Sequence, residues 1–122
     1  MALQESGEMY LETIYVLSGR GKGVRAIDVG EYMGFSKPSV SRAMGILKAE
    51  GYVETDENGF LKLTEAGFRV AESTYQRHSL LTEFLTHIGV SAETASEDAC
   101  RIEHHLSDES YQALLRHMES IK

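Results

Sequence analysis

The chain has 122 residues, 42% of them hydrophobic and 25% charged, which suits one packed domain or two small ones sharing a core and excludes a disordered chain. A single cysteine excludes an intramolecular disulfide, and no apolar run approaches the roughly 18 residues of a membrane span. The net charge of -7 opposes indiscriminate nucleic-acid binding, yet the charge is unevenly spread.

From Arg20 to Glu50 six basic residues (Arg20, Lys22, Arg25, Lys37, Arg42, Lys48) face three acidic ones, whereas from Ser91 to Lys122 three basic residues face seven acidic ones. This asymmetry points to a phosphate-facing region near the N-terminus and a cation-seeking or merely solvated region near the C-terminus. With no signal peptide and no membrane segment in view, a reducing cytoplasm is the expected location.

Residues 4 to 18 carry Met9, Leu11, Ile14, Tyr15 and Leu17 at near-helical spacing and predict a first helix, ended by the glycine-rich "GRGKG". "AIDVGEYMG" predicts a second helix stopped by Gly34. In "FSKPSVSRAMGILKAEGYV", Ser36 is a good N-cap, Pro38 fits a first turn, and Val40, Met44 and Leu47 form an apolar stripe up to Gly51. Two short strands, "YVET" and "FLKLT", follow, joined by "DENG", in which Asn58-Gly59 is a hairpin-turn signal. From Thr64, a candidate N-cap, helical spacing runs through Phe68, Ala71, Tyr75, Leu81, Phe84 and Leu85 to Gly89, predicting a long linker helix. Ser91 and Ser107 then cap two further helices.

Three helices followed by a two-stranded wing match a winged helix-turn-helix, in which the helix after the tight turn enters the major groove. Lys37, Ser39, Arg42 and Lys48 lie on the solvent face of that helix. They offer hydroxyls for phosphates or base edges, and an arginine able to read guanine. Arg25, from the basic stretch, and Ser36 and Pro38, at the head of the helix, complete the candidate DNA-binding set. Set against this, charged residues often do no more than solvate a helix; the cap, the turn, the hairpin and the local basic excess together favour DNA.

The stretch "ACRIEHHLS" gathers the only cysteine, a glutamate and two histidines. On a helix Cys100, Glu103 and His104 share one face, giving a thiolate, a carboxylate and an imidazole, which is a metal-ligand set. A lone cysteine is more often a small buried hydrophobe, and a histidine more often solvated or packed. Three donors do not close a site, so further ligands are sought at Met9 and Glu12, three apart on the first helix, and at His78 on the linker helix.

These residues carry a family resemblance. "EMYLETIYVL", "FSKPSVSRAMGILKAEGYV", "LTEAG" and "EDACRIEHHLSDE" resemble the opening helix, the recognition helix with its entry to the wing, the start of the linker helix, and the metal-binding helix of the diphtheria toxin repressor family of metal-dependent transcription regulators. The family includes iron-dependent repressors and the manganese transport regulator. The resemblance implies that Met9, Cys100, Glu103 and His104 fall on ligand positions of the iron-responsive branch, and Glu12 and His78 on ligand positions of the manganese-responsive branch. Two departures stand out. The manganese branch has carboxylates where this chain has Met9 and Cys100, and an ancillary-site histidine of the iron branch is replaced by Ser96. With no third, SH3-like domain before Lys122, a two-domain form similar in layout to the manganese transport regulator is expected.

The expected fold is therefore mainly α: a winged helix-turn-helix over residues 1–70, then a helical metal-binding and dimerisation domain over 71–122. The expected function is a metal-activated repressor, not an enzyme, working as a homodimer on a palindromic double-stranded operator and governing metal-ion homeostasis. Fe2+ is the first expected cofactor and Mn2+ the second, with Co2+, Ni2+ or Zn2+ able to substitute in vitro. The competing expectation is a winged-helix regulator that answers to a small organic ligand or to oxidation of Cys100. A hydrolytic metalloenzyme ranks last, for want of a substrate cleft or a second catalytic constellation.

Overall fold

Local chemistry sets the element boundaries in the computed structural model, which describes residues 5–122. The helices are α1 (Glu5–Ser18), α2 (Ala26–Met33), α3 (Lys37–Ala49), α4 (Glu65–His87), α5 (Ala92–Ile102) and α6 (Asp108–Ser120), and the strands are β1 (Val53–Thr55) and β2 (Leu61–Leu63). The chain divides into two compact units, Met1–Glu72 and Ser73–Lys122. No helix among the described residues is long and apolar enough to cross a membrane.

In the first unit, α2 begins where the Asp28 carboxylate accepts from the Arg25 backbone N–H at 2.8 Å, and it closes where Gly34 N–H reaches the Gly30 carbonyl at 2.9 Å. Ser36 caps α3 by accepting from Ser39 N–H at 3.4 Å, and Pro38 lies in the first turn. Proline is tolerated there because its missing N–H would have had no partner within the helix. The apolar stripes of these helices meet in a core containing Leu11, Ile14, Val29, Val40, Met44, Leu47, Val53 and Leu61, so α2 and α3 form the expected helix-turn-helix. Burying these side chains, at roughly 1.5–3 kcal/mol each, holds α3 with its other face outward.

The hairpin pairs Val53 with Leu63 and Thr55 with Leu61, antiparallel. Its connection differs from a two-residue Asn-Gly turn. Gly59 takes φ 83°, but no non-glycine residue among those described has positive φ, so Asn58 does not supply the left-handed conformation that a type I′ turn needs. Instead the Asp56 carboxylate accepts from Asn58 N–H at 2.9 Å and from Phe60 N–H at 3.0 Å, closing a longer turn from within. The Phe60 bond chiefly, with the Asn58 bond and the nearby Lys62 and Arg25 charges, holds the Asp56 carboxyl below the usual carboxylate range. An addition that sequence periodicity did not signal is the bridge Val24↔Leu61, where Leu61 N–H reaches the Val24 carbonyl at 2.7 Å. A single paired residue has no period to detect.

Thr64 joins the wing to α4: its hydroxyl donates to the Gly51 carbonyl at 2.6 Å and accepts from Gly67 N–H at 3.1 Å. A side chain at Gly67 would place its Cβ 2.0 Å from the Tyr52 carbonyl oxygen, so this position requires glycine. Gly45, in the middle of α3, is the opposite case, because a Cβ there would meet no neighbour within 4 Å. Gly45→Ala is therefore expected to raise stability by up to about 1 kcal/mol through helix propensity alone, measured as an upward shift of the urea midpoint with unchanged slope. A lower midpoint would show that α3 does not have this free face.

In the second unit, Ser91 and Ser107 act as the expected caps of α5 and α6, accepting from Thr94 N–H at 3.4 Å and Ser110 N–H at 3.1 Å. Leu80, Leu81, Ala95, Ala99 and Met118 are buried, a small apolar core for three helices. One expectation needs correction. Cys100, Glu103 and His104 do not share one helix, because α5 stops at Ile102. Glu103 is its C-cap, still right-handed helical (φ -57°, ψ -27°), and His105 N–H then reaches back only three residues to Ile102, which tightens and ends the helix.

Candidate metal centre and nucleic-acid interface

Because Glu103 keeps helical dihedrals, its side chain still follows Cys100 by three positions and turns to the same side. α4 supplies His78 opposite them. His78 Nδ1 lies 2.9 Å from Glu103 Oε2 and 3.8 Å from Cys100 Sγ. One donor atom from each of His78, Cys100 and Glu103 falls within 4.8 Å of the others. His104 adjoins this trio through Glu103, with its Nε2 3.4 Å from Glu103 Oε1.

The burial of Glu103 is the telling feature. The residue is 3% exposed, and its Oε1, buried, makes no hydrogen bond. Removing a carboxylate from water costs several kcal/mol unless charge and hydrogen bonds compensate it. Donors around one divalent ion, each at about 2.0–2.3 Å from it, lie roughly 3–4 Å apart, and the two His78 distances, 2.9 and 3.8 Å, match that spacing. An imidazole, a thiolate and a carboxylate aimed at one spot thus fit a divalent transition metal. Cys100 is exposed, so an ion has a route in from solvent. Met9 and Glu12 sit half-buried on α1 of the first unit, on successive turns of one helix face.

The candidate DNA residues are all in the first unit. Arg42 and Lys48 are exposed on α3, as are Lys37 and Pro38 at its head. The two serines are less available than their sequence positions imply: the Ser36 hydroxyl, already the N-cap acceptor, donates to the Ser39 hydroxyl at 2.9 Å. Arg25 is also engaged, its guanidinium 4.3 Å from the centre of the Phe60 ring at the wing. Sequence reading passed over Lys62, which projects from β2 with 61% of its side chain exposed. Its place as the outward residue of "LKL" is the signal that marks it.

Sequence reading also passed over Arg77. Its side chain is 15% exposed, and it donates to the Leu106 carbonyl at 2.5 Å, lies 3.7 Å from Asp108 and stacks 4.9 Å from the Tyr111 ring centre. A charged residue one position before a candidate ligand was the available clue, but charge on a long helix is too common to single one out.

Residues 2–60 match the iron-dependent repressor N-terminal DNA-binding domain, and residues 64–122 match the iron-dependent repressor metal-binding and dimerisation domain. An uncharacterized helix-turn-helix transcriptional regulator of Methanocaldococcus jannaschii is 30% identical over 122 residues, covering 98% of both chains. The diphtheria toxin repressor of Corynebacterium diphtheriae is 30% identical over 120 residues, covering 98% of this chain and 53% of that one. Among solved structures, the manganese regulator SloR superposes with a TM-score of 0.83 at 32% identity, over 98% of this chain and 55% of that one. The chain thus spans about half the length of the last two proteins. With a DNA-binding and a metal-binding signature on its two halves, this chain belongs to the iron-dependent repressor family of metal-dependent transcriptional regulators, which includes the diphtheria toxin repressor.

Proposed function

We propose that this protein is a cytoplasmic, homodimeric repressor that binds a palindromic operator when loaded with a divalent metal, Fe2+ before Mn2+, and so controls genes of metal-ion homeostasis. The reading rests on the buried, incompletely bonded Glu103 carboxylate set against His78 and Cys100. In this reading residues 1–70 read DNA, and residues 71–122 bind metal and pair the protomers. His78, Cys100, Glu103 and His104 are the ligands, with Met9 and Glu12 as further donors. Cys100 favours Fe2+ over Mn2+, since a thiolate suits softer ions; manganese remains the second candidate because a manganese regulator is among the chain's structural neighbours. Co2+, Ni2+ or Zn2+ would substitute in vitro.

A bound cation would supply positive charge that offsets the carboxylate and the thiolate. His78 and Glu103 orient each other through their 2.9 Å contact. Loading biases an equilibrium between forms that bind DNA well and poorly, by no more than the difference in metal affinity between them. On the DNA side, Arg42 is the proposed base reader, with Arg25, Ser36, Lys37, Pro38, Ser39 and Lys48 on or near phosphates. Pairing of protomers is supported by the second unit's exposed Tyr75, Ile88, Ile102 and Ile121, more apolar surface than its small core explains. Two-fold pairing would suit half-sites about 34–36 Å apart.

An anaerobic titration of operator binding with each ion tests the whole reading. Affinity should rise with Fe2+ and fall on chelation; binding indifferent to every ion would refute it. Arg42→Ala should weaken operator binding by about 1–3 kcal/mol while leaving metal affinity unchanged, as measured by fluorescence anisotropy and calorimetry. Loss of both together would mean that the two functions are not separate.

A further inference from the structure

The turn that carries Glu103 and His104 is held from outside. After α5 ends, the backbone makes two local bonds, His105 and Leu106 N–H to the Ile102 carbonyl, before Ser107 starts α6. Arg77 ties this turn to α4 independently of the candidate ligands, gripping the Leu106 carbonyl three residues after Glu103. Its neighbour on α4 is His78, the residue whose distance to Glu103 defines the cluster.

The ion pair with the first residue of α6 does not explain the position of Arg77. Its positive charge sits beside Asp108, in the first turn of α6, where the helix dipole disfavours a cation, and its Asp108 partner is 80% exposed and contributes little. What the guanidinium gains is a carbonyl acceptor and the face of Tyr111. The carbonyl contact fixes where the turn lies against α4, and the ring contact holds the start of α6, into which the turn leads, beside the same guanidinium.

Resting on the metal-site reading above, we propose that Arg77 is a positioning residue for the metal ligands: it clamps the Glu103–Ser107 turn to α4 and thereby sets the spacing of Glu103 from His78. A planar fork of several donors can hold the carbonyl and stack on the ring at once, whereas a lysine ammonium offers a single charged point. The clamp acts before any ion is bound, so it preorganises the donors and spares the ion the cost of ordering them.

The test uses Co2+ binding to the full chain, well below the melting temperature, together with amide hydrogen exchange of the metal-free protein. Arg77→Met is expected to lower Co2+ affinity about 10–100-fold, the usual cost of losing support around a ligand. It should also alter the Co2+ absorption spectrum and speed exchange at His105 and Leu106 by roughly tenfold or more. Arg77→Lys keeps the charge and most of the length, and it should lose several-fold in affinity with a smaller rise in exchange. If either folded variant binds Co2+ as the unmodified protein does, with the same spectrum and unchanged exchange at the turn, the proposal is overturned. A lower melting temperature with unaltered affinity overturns it as well, since that is the mark of a purely structural residue. Should the unmodified protein take up no Co2+, the metal-site reading itself fails, and changes in exchange alone would then show Arg77 to be a loop anchor.

Discussion

Replacing Glu103 with glutamine is expected to lower the affinity for Fe2+ or Co2+ by at least about a hundredfold, which corresponds to about 2.7 kcal/mol or more. The residue is 3% exposed and within 2.9 Å of His78, so an ion bound there would lose both a first-hand oxygen donor and the negative charge that compensates it in a poorly solvated place. Glutamine has the same shape and can still bond to His78, so the metal-free fold should persist. Calorimetric titration reads the affinity, and a circular-dichroism melt of the metal-free protein reads the fold. Full affinity in the glutamine variant would mean that the buried carboxylate serves packing, not binding, and the site would have to be sought elsewhere.

The second large effect concerns which ion activates. Met9 and Cys100 present a thioether and a thiol where the manganese-responsive branch is expected to have carboxylates. Hard oxygen donors suit Mn2+, and soft sulfur donors suit Fe2+, Co2+, Ni2+ and Zn2+. The double change Met9→Asp with Cys100→Glu should therefore move activation of operator binding toward Mn2+, so that the half-activating Mn2+ concentration drops below that of Fe2+. Cys100→Ala alone should weaken activation by every ion, because it deletes a donor whose sulfur lies 3.8 Å from His78. Both variants should keep the fold, since Cys100 is exposed and Met9 is half-buried. A protein that already answers to Mn2+ as well as to Fe2+, and goes on doing so as Cys100→Ala, would remove Cys100 from the ligand set.

Much of the fold was open to reading from the chain alone because its signals are local. Ser36, Ser91 and Ser107 each cap the helix expected of them, since a hydroxyl satisfying an amide two or three residues ahead depends on almost nothing distant. The apolar spacing of Val40, Met44 and Leu47 likewise determined which face of α3 turns inward, and hence that Arg42 and Lys48 face out. The family itself was legible in four short stretches.

What depended on distant parts of the chain was not legible. Asn58-Gly59 signalled the hairpin but not what closes its turn, which is the Asp56 side chain, bonded to the Asn58 and Phe60 amides while Asn58 keeps an ordinary φ. Helical spacing placed Cys100 and Glu103 on one side, yet where α5 would stop depended on how the next turn packs, and periodicity carries no such information. His78 could be nominated as a ligand, but only folding brought it to 2.9 Å from a residue 25 positions away. The same holds for Arg77, which sequence gives no reason to prefer among the chain's arginines and which reaches across to a backbone carbonyl 29 residues on. The physical reason is common to all these cases: caps and apolar stripes are written within a few residues of one another, whereas burial of a charge and the distance between donors are properties of chain segments that meet only in the folded state.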